Sequence, residues 1–134
     1  CETCTARSGP NLDGPRGYVH VLDMSDPESP EEVARYEVPE AGVHNLWAED
    51  DRLYAAYYQG GLRVVDVSGE LRGDLYEQGR EIAWFPTGTP DGFTPNQAMA
   101  WGPQPFWGNV FVSDLNSGLW VVRLEPREPE RVIP

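Results

Sequence analysis

The chain has 134 residues, 40 % of them apolar and 24 % charged, which is enough for one domain with its own core. Ten Lys and Arg against 22 Asp and Glu leave a formal charge of −12, which repels phosphate backbones and excludes nucleic acid as an expected partner. No run approaches the ~20 continuous apolar residues of a membrane span, so no transmembrane segment is expected.

The chain opens on Cys1-Glu-Thr-Cys4, its two cysteines. A haem attachment needs His after the second Cys, where Thr5 stands, and a zinc site needs a second ligand pair that the sequence lacks. Nothing after the pair reads as the helix that thioredoxin-type chemistry uses. A local Cys1–Cys4 disulfide or a free terminal pair remains. A further alternative is lipidation, since cleavage before a lipidated Cys places a cysteine at position 1. Residues 1–16, polar and containing Gly and Pro, then form a flexible tether.

From residue 17 the sequence reads as strands. Tyr18–Met24 and Val33–Val38 are expected strands around the turn-rich Ser25–Pro30. Val43–Ala48 and Arg52–Tyr58 form a hairpin about an acidic Glu49-Asp50-Asp51 tip, and Gly60-Gly61 turns the chain into Leu62–Val67. Glu70–Arg80 is polar, carries two glycines, and is expected to be a loop with at most one helical turn. Glu81–Phe85 is an outer strand, and Pro86–Gly92 a loop. Strands at Gln97–Trp101, Asn109–Ser113 and Leu119–Leu124 follow, the first two separated by a Gly102-Pro-Gln-Pro105 turn. Pro126 and Pro129 argue against another strand, leaving 126–134 as a Pro-rich tail.

Three of these segments repeat one pattern: Gly17-Tyr-Val-His-Val-Leu-Asp23-Met-Ser25, Gly60-Gly-Leu-Arg-Val-Val-Asp66-Val-Ser68, and Ser117-Gly-Leu-Trp-Val-Val-Arg123-Leu124. Each begins at a turn residue and runs on through β-branched and apolar residues. The first two end in Asp-x-Ser, whose side chains bond nearby backbone. The offsets, 43 residues from Asp23 to Asp66 and 57 from Gly61 to Gly118, match the blade period of propellers, the longer one lengthened by a polar insertion. The expected fold is all-β: propeller blades of four antiparallel strands over residues 17–125. The ring is incomplete, with about two and a half blades against the four to eight that close one.

The blocks Gly42-Val-His-Asn-Leu-Trp47, Tyr57–Ser68, Gly69–Tyr76 and Ser113–Leu124 resemble the C-terminal region of LVIVD-repeat β-propeller proteins. Gly-Leu-Arg-Val-Val-Asp-Val-Ser is the signature that carries the resemblance, which covers about residues 17–124. It implies a propeller that is commonly exported, to the periplasm, cell surface or outside, and it brings no catalytic set. The first seventeen residues match nothing in that pattern.

Candidate site residues follow from blade geometry. The first strand of a propeller blade lines the central channel, which places His44 and Asn45 at its mouth, with Asn96 and Gln97 at the corresponding place in the next blade and Trp101 behind them. His44 is also the one residue placed to ligate a metal, with any further ligands on missing blades; His20 lies too far out. Asp114 and Asn116 offer too few oxygens for calcium and are read as turn residues, with Gln59 at the matching place. Trp47, Trp84, Trp101 and Trp120 are expected to pack between blades, while Trp107 and Phe93 sit in turns where exposed rings suit a sugar or peptide. No nucleophile elbow, zinc helix or phosphate loop occurs. The expected function is a non-enzymatic scaffold binding a protein or ligand, its open sheet edges covered by further blades or a partner protein. The rival is a metal-dependent enzyme centred on the channel, with His44 as one ligand of an ion shared with missing blades.

Overall fold

The computed structural model describes residues 17–39 and 41–125. The expected tether at 1–16 with Cys1 and Cys4, and the tail at 126–134, lie outside the described residues. The described part is all-β, with ten strands: β1 (Val19–Asp23), β2 (Glu31–Tyr36), β3 (Leu46–Glu49), β4 (Arg52–Tyr57), β5 (Gly61–Asp66), β6 (Gly73–Asp74), β7 (Glu81–Phe85), β8 (Ala100–Phe106), β9 (Asn109–Asp114) and β10 (Gly118–Val122). They form three sheets, ordered β1-β2-β6, β3-β4-β5-β7 and β8-β9-β10. The middle sheet is a complete four-stranded antiparallel meander, and the first and third are partial blades on either side of it.

Turn chemistry sets the meander. Asp50 and Asp51, at φ 49° and 57°, make the two-residue loop between the paired Glu49 and Arg52, and Trp107 with Gly108, at 48° and 73°, does the same between Phe106 and Asn109. Two successive positive φ values define the hairpin turn whose twist matches that of the strands. The next turn in each blade is longer and ends on a glycine: Gly61 (φ 71°) after Tyr58–Gly60, and Gly118 (φ 90°) after Leu115–Ser117. At Gly61 a Cβ would stand 2.4 Å from the Phe85 carbonyl oxygen, so both the backbone angle and the neighbouring strand demand glycine.

Alternation along the middle blade builds two cores, one on each face. Leu53, Ala55, Tyr57 and Val65 pack toward the first blade with Val19, Ala34, Tyr36, Val43 and Leu75. Tyr54, Leu62 and Val64 pack toward the third with Val110 and Val112, supported by Phe85 and Trp120. A strand sandwiched between blades is apolar on both sides, and β4 is buried at every position after Arg52. The outward side of the third blade stays open, with Leu119 and Val121 68 % and 55 % exposed.

The insertion at 70–80 is more than a loop. Its two-residue strand β6 pairs parallel with β2, aligning Ala34 with Gly73 and Arg35 with Asp74. Leu75 follows it into the first core, wholly buried, while its amide donates to the Arg35 carbonyl at 2.8 Å. The Arg35 guanidinium meets the Asp74 carboxylate at 3.2 Å. The middle blade thus reaches across and covers the outer edge of its neighbour, an edge that would otherwise offer unpaired backbone groups.

Three expectations are corrected. Gly102–Pro105 is not a turn but the middle of β8; prolines are tolerated there because β8 is an edge strand, with one side free of ladder bonds. The strand expected from Gln97 begins only at Ala100. Trp47 and Trp84 are 43 % and 55 % exposed rather than packed between blades, whereas Trp120 packs edge-on to Phe85 across the blade interface, ring centres 5.3 Å apart. Trp84 turns outward, where its indole N–H donates to the Gly60 carbonyl at 2.8 Å and the Arg63 guanidinium lies 4.9 Å over its ring.

Candidate functional site

The Asp-x-Ser endings of the repeat behave as their chemistry dictates. Asp23 Oδ1 accepts from the amide and hydroxyl of Ser25 at 2.8 and 2.6 Å, and Asp66 Oδ1 from the Ser68 amide at 2.8 Å. Bonds from the serines hold both carboxyls below the usual carboxylate range. In the third blade the aspartate at the end of β9 takes a larger task. Asp114 is 5 % exposed; its Oδ1 accepts the Asn116 and Ser117 amides, both at 2.8 Å, and its Oδ2 accepts the Met99 amide at 2.7 Å and the Thr87 hydroxyl. Burial raises its pKa, but the Thr87 hydroxyl and the three amides outweigh it, and the carboxyl titrates below its ordinary value.

Asn116 extends this hub into the segment 86–99. Its Oδ1 accepts the Thr94 amide at 2.6 Å, its Nδ2 donates to the Thr94 and Gln97 carbonyls at 2.9 and 2.7 Å, and its own carbonyl accepts the Phe93 amide at 3.0 Å. Asn96 sits at φ 62°, a conformation asparagine tolerates, with its amide on the Thr89 carbonyl at 2.8 Å. Asn96 and Gln97 are therefore exposed residues of a tied loop, not of a strand.

His44, Asn45 and Trp101 do come together. His44 and Asn45 continue the β3–β4 ladder, through the His44 amide on Ala56 O at 2.8 Å and the Ala56 amide on Asn45 O at 2.9 Å. The Trp101 carbonyl accepts twice across the blade interface, from the Asn45 amide at 3.2 Å and from His44 Nδ1 at 2.8 Å. Because a carbonyl only accepts, Nδ1 carries the proton of this hydrogen bond, and Nε2 is the ring nitrogen not used in it. The imidazole stacks on the Trp101 indole, centres 3.6 Å apart and planes 29° apart, while the Tyr58 ring meets both edge-on at 5.2 and 6.0 Å. Trp101 remains 36 % exposed. Sequence reasoning singled out His44 and Trp101 but not Tyr58, whose ring joins them only because β4 ends beside the start of β8. Among the described residues no group of three or more His, Cys, Asp or Glu side chains is placed to hold a metal ion.

Trp107 belongs to the other end of the blades, since β8 carries the chain from Trp101 to its far tip over seven residues, about 20 Å of strand. It is 87 % exposed and stacks on Phe106, centres 4.7 Å apart and planes 19° apart. Beside it lies a cleft of about 280 Å³ between the two hairpin tips, lined by Glu49, Asp50, Arg52 and Tyr54 from the middle blade and Phe106, Trp107 and Asn109 from the third. Sequence reasoning named Trp107 and missed the others, because the pairing of two tips from different blades leaves no mark on local sequence.

No helix among the described residues is long and apolar enough to cross a membrane. No curated protein and no solved structure matches the chain. Residues 15–38 and 42–70 match the family model of the LVIVD repeat, and those two stretches hold β1 and β2 of the first partial blade and β3 to β5 of the complete one. The chain carries LVIVD repeats, laid out as the blades of an incomplete β-propeller.

Proposed function

We propose that this chain is a non-enzymatic binding module of an exported protein, and that it engages a partner protein or ligand through the His44, Tyr58 and Trp101 end of its blades. The supporting observation is the ring cluster itself: three aromatic side chains from separate segments, locked by the Trp101 carbonyl that accepts two hydrogen bonds, with the indole still open to solvent. A rigid, amphipathic surface of this kind contributes contact area at low entropic cost. Asn45 beside it, and Asn96 and Gln97 on the tied loop, supply polar contacts. The exposed outward face of the third blade, around Leu119 and Val121, is where further blades or a partner would pack. Export is part of the reading through the family's habit.

The test uses the full chain, immobilised as wild type, His44→Ala and Trp101→Ala, and challenged with the exported fraction of its native cells. A partner retained by wild type and lost from both variants supports the reading. The stack itself contributes about 1 kcal/mol beyond the area it buries, and the thermal midpoint of each variant, measured alongside, separates loss of the surface from loss of the fold. Equal retention by all three overturns it. Stoichiometric zinc binding to wild type that vanishes in His44→Ala replaces it with the metal-dependent alternative, for which His44 Nε2 is the available nitrogen.

A further inference from the structure

We propose that the cleft at the opposite end of the blades, between the β3–β4 and β8–β9 hairpin tips, is a saccharide-binding site that takes a neutral pyranose unit on Trp107. This site is separate from the His44 cluster and stands or falls independently of it.

The first argument is the turn. Both central residues of the Phe106–Asn109 hairpin have positive φ, positions that Asn, Asp and Gly fill at little cost. The Asp50–Asp51 turn follows that rule, and so does Gly108, but Trp107 breaks it, at φ 48°. A bulky side chain in that conformation is strained, and here the strain obtains no burial in return, because the ring is 87 % exposed. What the conformation does achieve is placement, with Trp107 laid flat beside Phe106 at the rim of the cleft. Asn109 secures the tip, its Nδ2 donating to the Trp107 carbonyl at 3.3 Å while its Oδ1 accepts from Arg123 at 3.4 Å.

The second argument is the composition of the lining. The face of an aromatic ring is electron-rich and attracts the polarised axial C–H groups of a pyranose. Around it stand carboxylates that only accept hydrogen bonds, Glu49 and Asp50, a guanidinium that only donates, Arg52, and Tyr54, whose hydroxyl does both. Sugar hydroxyls donate and accept, so a polyol satisfies this set; two carboxylates against one guanidinium leave the lining net acidic, which repels an anionic guest and makes a cation the competing guest that the test includes. A volume of about 280 Å³ lies just below the range of drug-sized ligand sites, in keeping with a single sugar ring.

The test is titration of the full 134-residue chain with cellobiose, whose rings carry equatorial hydroxyls and flat apolar faces, followed through the backbone amide resonances of the two hairpin tips, with arginine ethyl ester as a cationic comparison. Cellobiose is expected to shift these amides saturably, with a Kd of about 1 mM, and Trp107→Asn is expected to weaken binding at least tenfold. That variant also creates the preferred Asn-Gly turn, so its thermal midpoint should equal or exceed that of wild type, which separates loss of binding from loss of fold. Asp50→Asn keeps a residue that tolerates positive φ and is expected to weaken cellobiose only a few-fold. Three results would overturn the proposal: no saturable response of wild type to cellobiose, undiminished binding by Trp107→Asn, or a response to arginine ethyl ester alone.

Discussion

Replacing Asp114 with asparagine is expected to lower stability by about 2–4 kcal/mol, because a buried acceptor of four hydrogen bonds becomes a group that turns donors toward donors. The four donors, Thr87 Oγ1 and the amides of Met99, Asn116 and Ser117, come from three stretches of chain, so the change loosens the 86–99 segment as well as the β9–β10 turn. A loss of that size corresponds to roughly 8–16 °C in thermal midpoint for a domain of this size. Asp66→Asn, at the end of β5, where the carboxylate is more open to solvent and bonds to Ser68, is expected to give a much smaller fall. Equal falls for the two would show that the burial of Asp114 adds nothing.

The same carboxylates set the acid limb. Asp23, Asp66, Asp74 and Asp114 all titrate below the ordinary aspartate value in the folded chain. The folded state then binds fewer protons than the unfolded one, so this stabilisation is fully present above the unfolded pKa of about 3.9. It is lost as pH falls from there through the lower folded values. Unfolding midpoints measured from pH 6 downward should decline below about pH 4, and Asp114→Asn should decline less steeply than wild type.

Leu75→Ala carries the second large effect. Leu75 has no exposed surface, and it is the apolar anchor of the strap that β6 lays on the neighbouring blade. Truncation of a wholly buried leucine costs about 2–5 kcal/mol, the transfer of its methyl groups from a dry site plus the cavity left behind. The expected reading is a lower urea midpoint, together with faster hydrogen exchange at the Leu75 amide, which donates to Arg35. Leu71→Ala, at a partly buried position against the same core, should cost less. A midpoint unmoved by Leu75→Ala would mean that the strap is not part of the cooperative unit.

Much of this architecture is written locally. Gly61-Leu-Arg-Val-Val-Asp66 forms a strand because its β-branched residues suit a pleated surface, and the strand stops where Asp66 and Ser68 close a turn on their own backbone. Glycines mark turns that need positive φ, which is why the hairpins at Gly61 and Gly118 were legible. Pro103 and Pro105 misled for a complementary reason: proline signals a turn unless the strand holding it has a free edge, and whether an edge is free depends on the neighbours of the strand. Trp47 and Trp84 misled because strand alternation names two faces without saying which one another blade covers.

The sequence by itself determined the all-β class, the repeat, the positions of most strands and the chemistry of the turns, since each depends on residues a few positions apart. It also singled out His44, Asn45, Trp101 and Trp107. Only the tertiary structure decided that the polar insertion straps the first blade, and that Asp114 gathers a distant loop. It likewise decided that His44 stacks on Trp101 while Trp107 faces a cleft at the other end. Those features are contacts between segments far apart in the chain, and their energies reside in burial and hydrogen bonding that exist only once the blades have packed.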